Sequence, residues 1–143
     1  MLQRARHAGR IGEVSVTVSC FVPRPWTPFQ WCGFEDVKRL EDKLRLIKGE
    51  LRRVGNIQVT HDLPRWAYLQ AFLARADRRA GGLLRLAHAA GGDWKRAFRA
   101  WHLNPDFTAC RRRPLDEVFP WDHLEVGVTK EQLTREYEKA GLA

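Results

Sequence analysis

From Glu13 to Val22 apolar and small polar residues alternate. Val14, Val16, Val18, Cys20 and Val22 fall on one face, and Ser15, Thr17, Ser19 and Phe21 on the other. A period of two built from β-branched residues predicts a strand. Its wholly apolar face calls for cover on one side, while the hydroxyl face suits a cavity or water. One or two strands make no stable sheet by themselves. The pattern therefore predicts an interior strand whose neighbours are supplied from outside the segments that read as strands here.

The strand runs into Phe21-Val22-Pro23-Arg24-Pro25-Trp26-Thr27-Pro28-Phe29-Gln30-Trp31. Pro23, Pro25 and Pro28 rule out a helix and a continued ladder, and each biases the residue before it toward extended geometry. The segment is expected to be a stiff loop displaying Trp26, Phe29 and Trp31. Such loops at strand ends are where α/β proteins place ligand contacts, although the same aromatics could cap a core.

Helical periodicity follows. Phe34, Val37, Leu40, Leu44, Ile47, Leu51 and Val54 recur at steps of three and four, predicting a helix over 34–54 that Gly55-Asn56 ends. Ile57–Thr60 reads as a short second strand, broken at His61-Asp62-Leu63-Pro64. Helices are expected over 65–76, 78–90 and 93–101, with Asp77 and Asp93 as N-caps. Residues 104–120 read as loop. Thr129 with Gln132 three residues on is a capping-box pattern opening a last helix to about Ala140. The fold class is thus α/β and mostly helical.

Composition narrows the function classes. The chain has 143 residues, a hydrophobic fraction of 44% and a formal net charge of +8. No apolar run approaches the roughly 20 residues that span a bilayer. The first residues, Met1 to Gly12, lack the apolar core of a secretory signal, so a cytoplasmic location is expected. The basic balance raises nucleic acid as a partner, with Arg111-Arg112-Arg113 as the densest cluster. A solvated basic surface is the plainer explanation.

Cys20, Cys32 and Cys110 form no C-x2-C pair, which speaks against a zinc or iron–sulfur site of the chain's own. His61-Asp62 and Asp122-His123-Leu124-Glu125 are the acid–histidine clusters. They could serve as general acid–base pairs or metal ligands, but loop anchoring by Asp62 and Asp122 is the commoner use. No phosphate loop, nucleophile elbow or H-E-x-x-H is present.

Two stretches carry a resemblance. Val14–Trp31 resembles a "VSVS-FVPKP-TPFQW" signature of one group of radical S-adenosylmethionine (SAM) proteins, and Pro120–Glu131 is similar to that group's "PWDHIDVGVSKEFL" motif. Ala74–Arg79 ("ARGDRR" in the group), Pro105-Asp106-Phe107 and Arg135–Ala140 ("REYEKA") lie in the matching order. The group is understood as a cobalamin-binding-type domain followed by a radical SAM partial (β/α)6 barrel.

The resemblance implies that residues 1–55 are the end of the barrel, namely its last strand, aromatic loop and last helix. Residues 56–143 would be a helical carboxy-terminal extension. It implies SAM and a [4Fe-4S] cluster as cofactors, with cobalamin on a separate domain. It also implies Phe21, Val22 and Pro23 at the SAM adenine, and Trp26, Thr27 and Gln30 facing substrate. The C-x3-C-x2-C motif that holds such a cluster does not occur in this sequence. The expected partner is therefore the cluster-bearing half, and the chain is expected to be inactive alone. The segment 91–101 is shorter than in the group, and Cys32-Gly33 stands where the group is more polar. The alternative reading is a non-catalytic basic module that binds RNA or a protein.

Overall fold

The computed structural model describes residues 12–142. In chain order these residues form β1 (Val14–Val18), α1 (Val37–Arg52), β2 (Ile57–His61), α2 (Pro64–Arg75) and α3 (Ala80–Ala89). They continue with α4 (Trp94–Ala100), α5 (Pro105–Ala109) and α6 (Lys130–Lys139). The chain is α/β and mostly helical, as its periodicity predicts.

β1, α1 and β2 make a β-α-β unit. The strands pair in parallel, from Val14 opposite Ile57 to Val18 opposite His61. Alternation holds along both: Val14, Val16 and Val18 are half-buried, while Ser15 and Thr17 are exposed. On the exposed face the Thr17 and Thr60 hydroxyls meet at 3.0 Å.

β1 is shorter than the predicted 13–22, because its partner runs out. Asp62 N–H closes the ladder on the Val18 carbonyl at 3.1 Å, and Pro64 then opens α2. Among the described residues β1 pairs along one edge only.

α1 begins at Asp36, whose side chain accepts from the Arg39 N–H. It ends before Gly55 and Asn56, both in the left-handed region with φ of 70° and 53°, as the stop signal predicts. Leu44 is buried and Val37, Leu40, Leu51 and Val54 half-buried, so most of the apolar stripe faces inward, while Ile47 is exposed.

Packing divides the chain into two compact units: 12–20 with 36–66, and 21–35 with 67–142. The division expected at residue 55 follows the chain. The contacts group it otherwise, since β2 completes the sheet of the first unit and the aromatic loop packs into the second.

The core of the second unit is aromatic. Trp31, Phe119, Trp121, Leu133 and Tyr137 are buried together, with Trp26, Cys32, Leu115 and Leu142 against them. Trp31 lies 5.3 Å from Tyr137, and Phe119 stacks on Trp121 at 4.8 Å between centroids. Around Phe98 a second set gathers Tyr68, Phe72 and Trp94.

Residues 31–34 run alongside 109–113 through Phe34 N–H to Ala109 O (2.9 Å) and Arg113 N–H to Trp31 O (2.8 Å). Only glycine fits at Gly33, since a Cβ there would stand 2.0 Å from the Cys110 carbonyl oxygen.

The helix ends mostly follow their sequence signals. Asp93 caps α4, and Thr129 with Gln132 forms the full capping box on α6. Two expectations need correction. Asp77 does not cap α3; its carboxylate takes the Arg79 N–H and guanidinium instead, and the helix starts at Ala80. The expected loop over 104–120 contains α5, opened by the Asn104 side chain accepting from Asp106 N–H with Pro105 next in line. No helix among the described residues is long and apolar enough to cross a membrane.

Candidate functional site

The second unit brings together segments far apart in sequence. Gln30 is 1% exposed. Its Oε1 accepts from the Trp26 backbone N–H at 3.2 Å and from the Trp121 indole Nε1 at 3.0 Å. One side-chain amide thus ties the aromatic loop to itself and to a segment 91 residues away.

Trp26, held by that bond, has φ of 55°. A bulky residue in the left-handed region costs on the order of 1–3 kcal/mol, and such outliers gather at functional sites. The Thr27 hydroxyl donates to Arg24 O at 2.8 Å. Pro23 is buried, Val22 half-buried and Phe21 57% exposed, with its ring edge-on to Phe29 at 5.1 Å. Of the six residues singled out by resemblance, Phe21 is the most open to solvent. Gln30 and Pro23 are enclosed by protein.

Behind the loop lies a cluster of guanidinium groups. Arg75, on α2, is 1% exposed and donates to Ala109 O (3.0 Å) and Arg111 O (3.3 Å). Arg113 is 6% exposed and lies 5.4 and 5.3 Å from the Phe119 and Trp121 ring centroids. Arg111 makes a two-pronged bond to Glu117 at 2.6 and 2.8 Å and covers Phe107 at 4.3 Å. Arg112 donates to the Tyr137 hydroxyl at 2.8 Å.

The pKa shifts follow from this arrangement. Burial, then the charges of Arg113 and Arg111, pulls Arg75 down to about 10, so it remains charged at neutral pH. Glu117 is held below the ordinary carboxylate range, first by its bond to Arg111.

The triple arginine, expected as a solvated basic patch, is thus largely internal. Arg111 and Arg113 are committed to Glu117 and aromatic rings, and Arg112 alone is exposed. Glu117 lies four residues beyond Arg113, but nothing in the sequence placed Arg75 beside them.

Next to this cluster a cleft of about 500 Å³ is lined by Ala76, Asp77, Arg78, Arg79, Pro120 and His123. Arg79 is paired with Asp77 at 2.7 Å. Asp122 accepts from Phe119 N–H and from Lys130 Nζ at 2.9 and 3.0 Å. Asp122 therefore anchors its loop, and His123 is exposed.

In the first unit the His61 Nδ1 is 2.8 Å from Asp62 O, and its Nε2 is 3.2 Å from Lys48 Nζ. Both ring nitrogens are engaged. The two histidine clusters belong to different compact units.

No group of three or more His, Cys, Asp and Glu among the described residues is arranged to hold a metal ion. Cys20 belongs to the first unit and Cys32 and Cys110 to the second. Burial, then Asp62, pushes the Cys20 thiol up, away from the thiolate that binds iron. These cysteines do not fit a [4Fe-4S] cluster. What the second unit holds is a buried aromatic core and a cleft lined by Arg78, Arg79 and His123.

No protein-family model, no curated protein and no solved structure matches this chain.

Proposed function

We propose that this chain is the carboxy-terminal part of a radical SAM enzyme, contributing to the SAM and substrate pocket while the cluster is held elsewhere. The observation that carries the reading is convergence. Three segments of the resemblance, Thr27–Trp31, Ala74–Arg79 and Pro120–His123, meet in one compact unit. Gln30 bonds Trp121, and the Asp77–Arg79 turn shares a cleft with Pro120 and His123.

The β-α-β unit supports the same reading. Parallel strands joined by a helix are the repeat from which (β/α) barrels are built, and β1 has an edge without a strand among the described residues. On this reading Phe21, Val22 and Pro23 border the adenine, and Trp26 and Thr27 lie toward substrate. Gln30 acts through Trp26, whose backbone it fixes. Cytoplasmic location and the cobalamin-binding domain belong to the proposal as well. When bound, SAM and the cluster supply the radical; the protein supplies position and exclusion of water.

The test is to purify the tagged chain from its source and identify the polypeptides that come with it. The expected partner carries C-x3-C-x2-C and, with the chain, releases 5'-deoxyadenosine from SAM under reduction. Cluster uptake and SAM cleavage by the chain alone would show that the cluster ligands have been misjudged. A complex with no SAM-dependent activity and no such partner would sink the family reading.

A further inference from the structure

The first unit carries a cleft of its own, about 490 Å³, between α1 and the corner where β2 passes into α2. Its rim comes from Arg45, Lys48 and Arg52 on α1, which at steps of three and four share one face of the helix. Its apolar lining is the buried Leu44 and Pro64 with the exposed Leu63. Among the described residues Glu41 is the one carboxylate lining it, and Arg45 is partly neutralised by Asp42 at 2.9 Å. The local balance is cationic.

Lys48 is not a loose surface lysine. Its Nζ lies 3.2 Å from His61 Nε2, in a part-buried contact. The other ring nitrogen, Nδ1, faces the Asp62 carbonyl at 2.8 Å. A carbonyl can only accept, so Nδ1 bears the hydrogen and Nε2 is left as an acceptor. Lys48 spends one N–H on that acceptor and keeps two. A lysine ordinarily loses side-chain freedom when it binds an anion; here His61 has already fixed the ammonium. An apolar lining beside fixed and flanking cations matches a ligand with a charged head and an apolar body.

We propose that this cleft binds a small oxyanion with an apolar body, such as an aryl or alkyl phosphate. Lys48 is the principal anion contact, Arg52 the second, and His61 a positioning residue that acts through Lys48. The site lies wholly in the first unit and does not rest on the radical SAM reading.

The experiment titrates the full chain with inorganic phosphate, phenyl phosphate and benzyl alcohol at constant pH and ionic strength, following His61 ring signals by NMR. Phenyl phosphate is expected to bind about fivefold or more tighter than inorganic phosphate, through the added apolar contact. Benzyl alcohol is expected to leave His61 unmoved. Lys48→Met should weaken phenyl phosphate about tenfold, the value of one charge-assisted hydrogen bond. His61→Gln, which keeps an acceptor for Lys48, should weaken it less than His61→Ala, both affinities being read by titration calorimetry beside the wild type because these variants lack the ring signal.

Arg112→Gln, in the other unit, is the control for net charge. The wild-type titration stands even where a variant folds poorly. The proposal fails if neither phosphate moves the His61 signals, if benzyl alcohol binds as well as phenyl phosphate, or if Arg112→Gln weakens binding as much as Lys48→Met.

Discussion

Arg113 donates through Nη2 to the backbone carbonyl of Arg75 at 3.3 Å, so two buried guanidinium groups stand in one pocket. Their like charges oppose each other. Glu117, which bonds Arg113 at 3.3 Å and Arg111 at 2.6 Å, is the carboxylate that offsets them. A buried cation whose counter-charge is removed destabilises far more than the intact pair stabilises.

Glu117→Gln should therefore cost about 2–3 kcal/mol at pH 7, below the full buried-pair value because Glu117 is partly exposed. Its folded pKa is depressed, so the contribution is complete above the ordinary carboxylate value and fades as pH falls through the folded one. Urea denaturation at pH 7 and at pH 3 checks this. The gap between wild type and variant should narrow toward acid. A constant gap would show that packing, not charge, is what Glu117 provides.

The arginines separate the two functional readings. If 111–113 were a nucleic-acid surface, replacing all three by alanine would abolish binding and spare the fold. The geometry predicts otherwise: the triple variant loses the Arg113 and Arg111 networks and unfolds, because the loss approaches the 5–15 kcal/mol that holds a domain. Arg112→Ala alone, at an exposed residue whose side chain bonds the Tyr137 hydroxyl, should cost about 1 kcal/mol or less. Circular dichroism on both variants decides the matter. A folded triple variant would return these side chains to the surface.

How far the sequence could be read depended on range. α1 and the α6 capping box rest on near-neighbour rules, and they stand where those rules put them. β1 has the right face buried but stops early, because its length is set by β2, a partner 43 residues on. α5 was legible in Asn104-Pro105-Asp106, a cap followed by a proline, and was hidden by the surrounding loop composition. The guanidinium cluster was not legible. Arg75 and Glu117 come from separate segments, and a run of three arginines looks the same in sequence whether it faces water or aromatic rings. Gln30 likewise gave no sign that its partner would be Trp121.

That bond makes a sharp prediction. Gln30→Ala leaves the Trp121 indole N–H and the Trp26 amide buried without an acceptor and opens a small cavity, for a loss of about 3 kcal/mol. Trp121→Phe removes the indole N–H and some volume. If the two act through one bond, the double variant loses less than the sum by about 1–2 kcal/mol. Denaturant midpoints for the four proteins close the cycle, and strict additivity would deny the bond.

Gly33 and Gly82 test whether tightness or the kind of neighbour decides the cost of a methyl group. A Cβ at Gly33 would meet the Cys110 carbonyl oxygen at 2.0 Å; one at Gly82 would meet the Trp101 ring at 2.7 Å. Backbone cannot yield at Gly33 without parting 31–34 from 109–113, so Gly33→Ala should cost about 3 kcal/mol or more. At Gly82 the obstacle is a side chain that can turn, and alanine within α3 regains about 1 kcal/mol of helix propensity. Gly82→Ala should therefore fall within about 1 kcal/mol of wild type, while Trp101 fluorescence shifts as its ring moves. Equal losses at the two positions would mean that Trp101 is as fixed as the backbone, and that the turn holding it is part of the same rigid frame as the aromatic loop.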